Sequence, residues 1–206
     1  MRQILAVFVV AVSLTRPLAA QRTPVFGEVG IGFGQTTFSG DIRTRLVQSL
    51  GGSFSPGSGG NVLMAFHVAP ERWQGLGVGA RIKGTFGSST RGDFGDDYIF
   101  NYYNLGASAK YYPLSRRFNR GLYSRATVGF GQMTTKRLND ATRFYRHQYA
   151  IGSTLSLGTG YTLPLLGRSL SVEAEYETSR RSGTIDQIGS ATFRSGQFGA
   201  NLVVSF

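Results

Sequence analysis

The chain has 206 residues, enough for one domain or two small ones. It is 41% hydrophobic and 16% charged, carries a formal net charge of +11, and contains 29 Gly, 6 Pro and no Cys. The missing Cys excludes a disulfide scaffold and a Cys-based zinc site; Gly at about twice its usual ~7% share, without a three-residue period, excludes collagen.

The first twenty residues differ from the rest. Arg2 precedes an apolar run from Ile4 to Leu14, broken only by Ser13, and "TRPLAA" follows with small residues ahead of Gln21. That is the order of a secretory signal peptide. The run falls well short of the ~20 residues a membrane-spanning helix needs. Residues 1–20 are therefore expected to be cleaved, after Ala20, leaving 21–206 as a single domain. Arg2 and Arg16 leave with the signal, so +11 becomes +9.

No helical stripe of period 3.6 stands out in the remainder. Period-2 alternation recurs instead and predicts strands. In chain order they cover 25–38, 61–69, 75–87, 98–112, 121–133, 145–161, 169–179 and 192–206. The third shows the pattern well: Leu76, Val78, Ala80, Ile82 and Phe86 alternate with Gly75, Gly77, Gly79, Arg81, Lys83 and Thr85. The connections at 39–60, 88–97, 134–143 and 180–191 are long and rich in Gly, Ser, Asp, Asn and Arg. Those at 70–74, 113–120 and 162–168 are shorter. Eight strands with long and short connections on opposite sides predict an all-β fold, an eight-stranded antiparallel up-and-down transmembrane β-barrel. Both termini fall on the short-turn side.

A soluble barrel also alternates, with its apolar face inward, so the second face decides. Here that face is rich in Gly rather than in solvated polar groups. Eight strands leave an interior just wide enough for side chains, and Gly there makes room for long ones. The long ones are charged: Glu28, Arg81, Lys83, Lys110, Arg125, Glu173, Glu175 and Glu177. Four acids and four bases in a narrow lumen must pair, because a lone buried charge costs several kcal/mol. Glu173, Glu175 and Glu177 are expected to meet the bases of the third to fifth strands. Tyr102, Tyr103, Tyr111, Tyr112, Tyr145, Tyr149 and Tyr161 fall near strand ends, where aromatic girdles sit at a membrane interface.

The chain ends with Phe198, Ala200, Leu202, Val204 and Phe206 on one face of the last strand and no polar tail. This resembles the C-terminal assembly signal of bacterial outer-membrane barrels, and the whole 21–206 strand pattern is similar to the small OmpA/OmpX-like, porin-family-like members. "TTFSGDI" (36–42) resembles the first outer-loop entry of some of them. The resemblance implies a monomer in the outer membrane of a Gram-negative-type bacterium, inserted by the barrel assembly machinery.

Two barrel chemistries bear on the His residues. Lipid A deacylases pair His with Ser two residues on; neither His67 nor His147 has Ser there. Palmitoyl-transferring barrels need His, Asp and Ser together near the outer rim, and His147 with Asp140 does not establish that. No P-loop, EF-hand or dinucleotide fingerprint occurs, so no catalytic residue, cofactor or metal is assigned. Arg43, Arg45, Arg91, Lys136, Arg137, Arg143, Arg180 and Arg181 fall in or beside the long connections. On an exported barrel they face outer-membrane lipids and the phosphates of lipopolysaccharide rather than nucleic acid. Arg116, Arg117 and Arg120 occupy a short turn facing the opposite leaflet. The expected function is non-enzymatic: a structural or surface-interaction barrel. A narrow channel and a lipid A-modifying enzyme remain the alternatives.

Overall fold

The computed structural model describes residues 25–50, 57–90, 98–137, 148–165, 167–185 and 189–206. The signal segment, Arg91, Asp140, Arg143, Tyr145 and His147 lie outside them. Eight strands form one closed antiparallel barrel in sequence order: β1 (Val25–Ser39), β2 (Gly57–Val68), β3 (Leu76–Thr90), β4 (Tyr98–Tyr111), β5 (Gly121–Arg137), β6 (Gln148–Leu165), β7 (Arg168–Ile185) and β8 (Gly189–Ser205). The seam closes where β1 pairs with β8, from Glu28 opposite Ser205 to Ser39 opposite Arg194. Every strand in the closed ring has two neighbours, so the membrane-level ladders need no edge.

The alternation has a clear sense. Ile31, Phe33, Val62, Ile82, Leu105, Val128, Leu157, Val172 and Leu202 point outward, and Phe130 is 72% exposed. The inner face carries Glu28, Arg81, Lys83, Lys110, Arg125, Glu173, Glu175 and Glu177, none more than 5% exposed. An apolar belt of this extent around a polar interior inverts the arrangement of a water-soluble barrel. Lipid is its natural solvent. No described helix is long and apolar enough to cross a membrane.

The connections are shorter than the sequence pattern predicts: β3 runs to Thr90, β5 to Arg137 and β6 to Leu165, with β7 starting at Arg168, and two of them differ most. Residues 39–60 are not all loop: Gly40, at φ +73°, turns the chain into helix α1 (Asp41–Leu50), and β2 starts at Gly57. Residues 180–191 are mostly strand: β7 runs to Ile185 and β8 starts at Gly189. Their outer halves form a hairpin that rises past the end of β1. The tyrosines also divide. Tyr103, Tyr111, Tyr149 and Tyr161 face outward, whereas Tyr102 and Tyr112 are buried inside. Adjacent strand residues cannot share a face, so each Tyr doublet must send one ring inward.

Candidate functional site

The lumen is filled from end to end, in layers. At the end carrying Val25 and Phe206, Phe118 folds in from the β4–β5 turn. Its ring stands 4.8 Å from Phe26, 5.6 Å from His67 and 5.2 Å from Tyr112. Gly77 makes this possible, since a Cβ there would overlap the Phe118 ring. Tyr112 and Tyr123 pack above with tilted rings 5.2 Å apart, and the Tyr112 hydroxyl shares a 3.0 Å hydrogen bond with Thr162.

The middle of the lumen holds a single ladder of alternating charge. Lys110 donates to Glu28 at 2.7 Å, and Arg125 donates to the other oxygen of Glu28 at 2.5 Å. Arg125 Nε lies 3.1 Å from Glu173, which also accepts from Arg81 at 3.1 Å and from the Tyr123 hydroxyl at 2.8 Å. Arg81 pairs in turn with Glu175. Lys83 bridges Glu175 at 2.6 Å and Glu177 at 3.2 Å. Glu177 accepts from Asn104 at 2.8 Å and from Arg181 at 3.3 Å. The order is Lys110, Glu28, Arg125, Glu173, Arg81, Glu175, Lys83, Glu177, Arg181, with every neighbour of opposite sign. At its foot the Lys110 ammonium sits 3.9 Å over the Tyr123 ring. Lys110 thus pairs with Glu28 of β1, while the three β7 glutamates share Arg81, Lys83, Arg125 and Arg181.

Arg181 is the member that the sequence pattern assigned to a loop. It is 1% exposed, bonds Asn104 at 2.7 Å, and fills space that Gly131 leaves open. Above the ladder lies an uncharged layer: the Thr85 hydroxyl lies 2.8 Å from Asn61 Oδ1 and 3.0 Å from Gln197 Oε1, with one proton to share between them, and Gln197 donates to Thr36 at 3.0 Å. The far mouth is closed by an apolar plug of Phe38, Phe100, Tyr102, Met133, Ala150 and Phe193, onto which α1 lowers Ile42 and Leu46. The Phe38 and Phe100 rings meet at a tilt, 5.0 Å apart.

One trio inside the lumen has the composition of a catalytic triad. His67 Nε2 is 3.3 Å from Ser108 Oγ, and His67 Nδ1 is 4.0 Å from Glu28. All three side chains are buried, Phe118 covers the imidazole, and Glu28 is already held by Lys110 and Arg125. A nucleophile needs room for a substrate carbonyl beside it and donors for its oxyanion; the packing leaves neither.

The terminal face is built differently. Phe198, Ala200, Leu202 and Phe206 are exposed on the outside, and Val204 is half-buried beside them. Phe206 exchanges two backbone hydrogen bonds with Gly27, at 3.0 and 2.9 Å. Its ring lies across Gly27, where a Cβ would stand 2.5 Å from it.

The outer rim carries an open cleft of about 880 Å³ between the start of α1 and the raised β7–β8 hairpin. Arg45, Arg180 and Arg194 line it, with Asp41 the one carboxylate among its described residues. Arg45 reaches across from α1 to the Ser190 carbonyl at 3.3 Å.

No family model matches this chain, and no curated protein does. Solved structures do. The attachment invasion locus protein Ail of Yersinia pestis, solved with the heparin analogue sucrose octasulfate, superposes with a TM-score of 0.50 at 17% identity, covering 88% of this chain and 99% of its own. Neisserial surface protein A gives 0.50 at 12% identity, covering 89% and 97%. The outer membrane protein OprG of Pseudomonas aeruginosa gives 0.45 at 12% identity, covering 88% and 95%. At these identities the likeness is one of fold, that of small eight-stranded outer-membrane barrels.

Proposed function

We propose that this chain is a non-enzymatic outer-membrane barrel whose outer rim meets phosphate-bearing lipopolysaccharide or another external anion. Residues 1–20 serve as its export signal, and Phe198, Ala200, Leu202, Val204 and Phe206 as the strand read by the barrel assembly machinery. The observation that carries the reading is the filled lumen: an aromatic plug, a nine-member charge ladder and an apolar plug occupy the axis in series. A barrel packed this way presents its surface, not its interior, to partners. The eight sequence-assigned charges, with Arg181, have a structural role in this reading: they hold the strands in register around the axis. The basic rim supplies the attraction for anions, and the fold neighbour solved with a sulfated sugar makes a polyanion a reasonable partner class.

The test has two arms. Fractionation of cells expressing the full chain should place it in the outer membrane, shortened by about 20 residues. Purified barrel in planar bilayers should give no sustained current. A steady large conductance would replace this reading with the channel alternative.

A further inference from the structure

We infer that the outward faces of β7 and β8 carry a sugar-phosphate site, built on Arg180 and Arg194, for the headgroup of a phosphorylated glycolipid in the surrounding leaflet. The inference deepens the proposed function and rests on it. Arg180 and Arg194 stand directly opposite each other in the β7–β8 register. Both are exposed. Like charges directly opposed in an antiparallel pair destabilise it. Neither guanidinium meets a carboxylate among the described residues. An anion bridging the two forks would turn that repulsion into attraction, and guanidinium geometry matches phosphate oxygens.

The rungs on either side define the ligand further. Below the arginine rung, Thr178 faces Gly196, and below that Tyr176 faces Phe198. Both rings are more than half exposed on the lipid side, and the Tyr176 hydroxyl leans up to within 2.6 Å of where a Gly196 Cβ would stand. An aromatic rung of this kind marks a membrane interface. The arginines lie four residues further along each strand, about 13 Å at the usual rise, which is headgroup depth. Above them come only hydroxyls. Ser182 and Thr192 pair at 3.2 Å, Thr184 and Ser190 at 2.8 Å. Arg45 closes the far side of the same cleft from α1. A phosphate on the arginine rung would therefore set its sugar against a ladder of hydroxyls, with acyl chains running down past Tyr176 and Phe198. A detached sugar phosphate would gain the upper half of these contacts alone.

The experiment uses the full barrel in detergent and native mass spectrometry of lipid adducts, with three probes: bis-phosphorylated lipid A, its dephosphorylated form, and soluble glucosamine 1-phosphate. The parent should retain lipid A, with little of the other two. R180Q/R194Q should retain it at least tenfold more weakly, the scale of lost charged hydrogen bonds. Heat-modifiable gel mobility verifies that the variant is folded. A second readout is the urea midpoint in phosphatidylcholine bilayers. Without lipid A the double variant should unfold at the same or higher urea than the parent; with lipid A the order should reverse. Equal retention by parent and variant would overturn the site while leaving the proposed function standing. Equal retention of dephosphorylated lipid A would overturn the phosphate chemistry, and glucosamine 1-phosphate binding as tight as lipid A would overturn the lipid source. A parent that retains no lipid A would remove both the site and the lipopolysaccharide part of the proposed function.

Discussion

Glu175 is clasped by Arg81 on one side and Lys83 on the other, with 1% of its side chain exposed. Neutralising it takes one of two carboxylates from each of Arg81 and Lys83 and leaves five buried cations against three anions; breaking a buried pair from one side costs about 3–5 kcal/mol. Glu175→Gln is therefore expected to lower the urea-unfolding free energy in lipid by that order. Arg181→Gln should cost less, because Glu177 keeps Lys83 and Asn104 as partners. The ladder has five cations and four anions, so losing Arg181 also leaves it balanced. Much of this was legible residue by residue. Period-2 parity alone puts Glu173, Glu175 and Glu177 on one face, and the same parity carried past Ser179 reaches Arg181. That step was hidden because "RRSGTIDQIGS" has the composition of a loop. Composition reports solvent exposure of side chains, and a hairpin standing above the lipid is as polar as a loop. Phe118 was less legible. Nothing in a turn sequence says that its aromatic residue folds back into a barrel mouth; only the vacancy at Gly77, across the lumen wall, shows it.

Helix α1 shows a different limit. Ten residues make a marginal helix in water, and the Gly/Ser-rich run that follows conceals its short apolar stripe, of which Ile42 and Leu46 are the buried members. The helix exists because a ring of apolar side chains at the mouth offers those two residues a place to be buried. It should therefore depend on docking more than on propensity. Leu46→Ala, at a cost of about 2–5 kcal/mol for a buried Leu, is expected to release the helix without opening the strands. Hydrogen exchange would then show fast amides across 41–50 and unchanged protection in β4 and β5; loss of protection in both would mean that α1 braces the barrel instead. At the opposite end, the β1–β8 seam finishes on the paired backbones of Gly27 and Phe206. Deleting Phe206 removes both hydrogen bonds and the ring over Gly27. Folding into lipid vesicles, followed by the appearance of the heat-modifiable band, should slow, while the folded barrel once formed should lose only about 1–3 kcal/mol from two backbone bonds. The strand pattern made this end visible, because an alternating strand running to the last residue must be paired to its end.

At the scale of the molecule, three unlike barriers stand in series along one axis, and their order decides what opening would require. The apolar plug and the Phe118 plug exclude water by packing, and each can be trimmed by one side chain. The ladder between them excludes ions by a different means: its charges are already satisfied by each other, so a passing ion must break a pair that is buried and poorly screened by salt. Removing a plug thus exposes the ladder without opening a path. Planar-bilayer recordings of Leu46→Ala, Phe118→Ala and the two combined are expected to stay as closed as the parent. Adding Glu175→Gln to the combined variant should be the step that admits brief, small-amplitude openings, because it alone disrupts the alternation of sign at mid-lumen. If Phe118→Ala by itself gave a sustained current, the ladder would not be the principal barrier. The packed interior would then be a gate with its hinge in the β4–β5 turn.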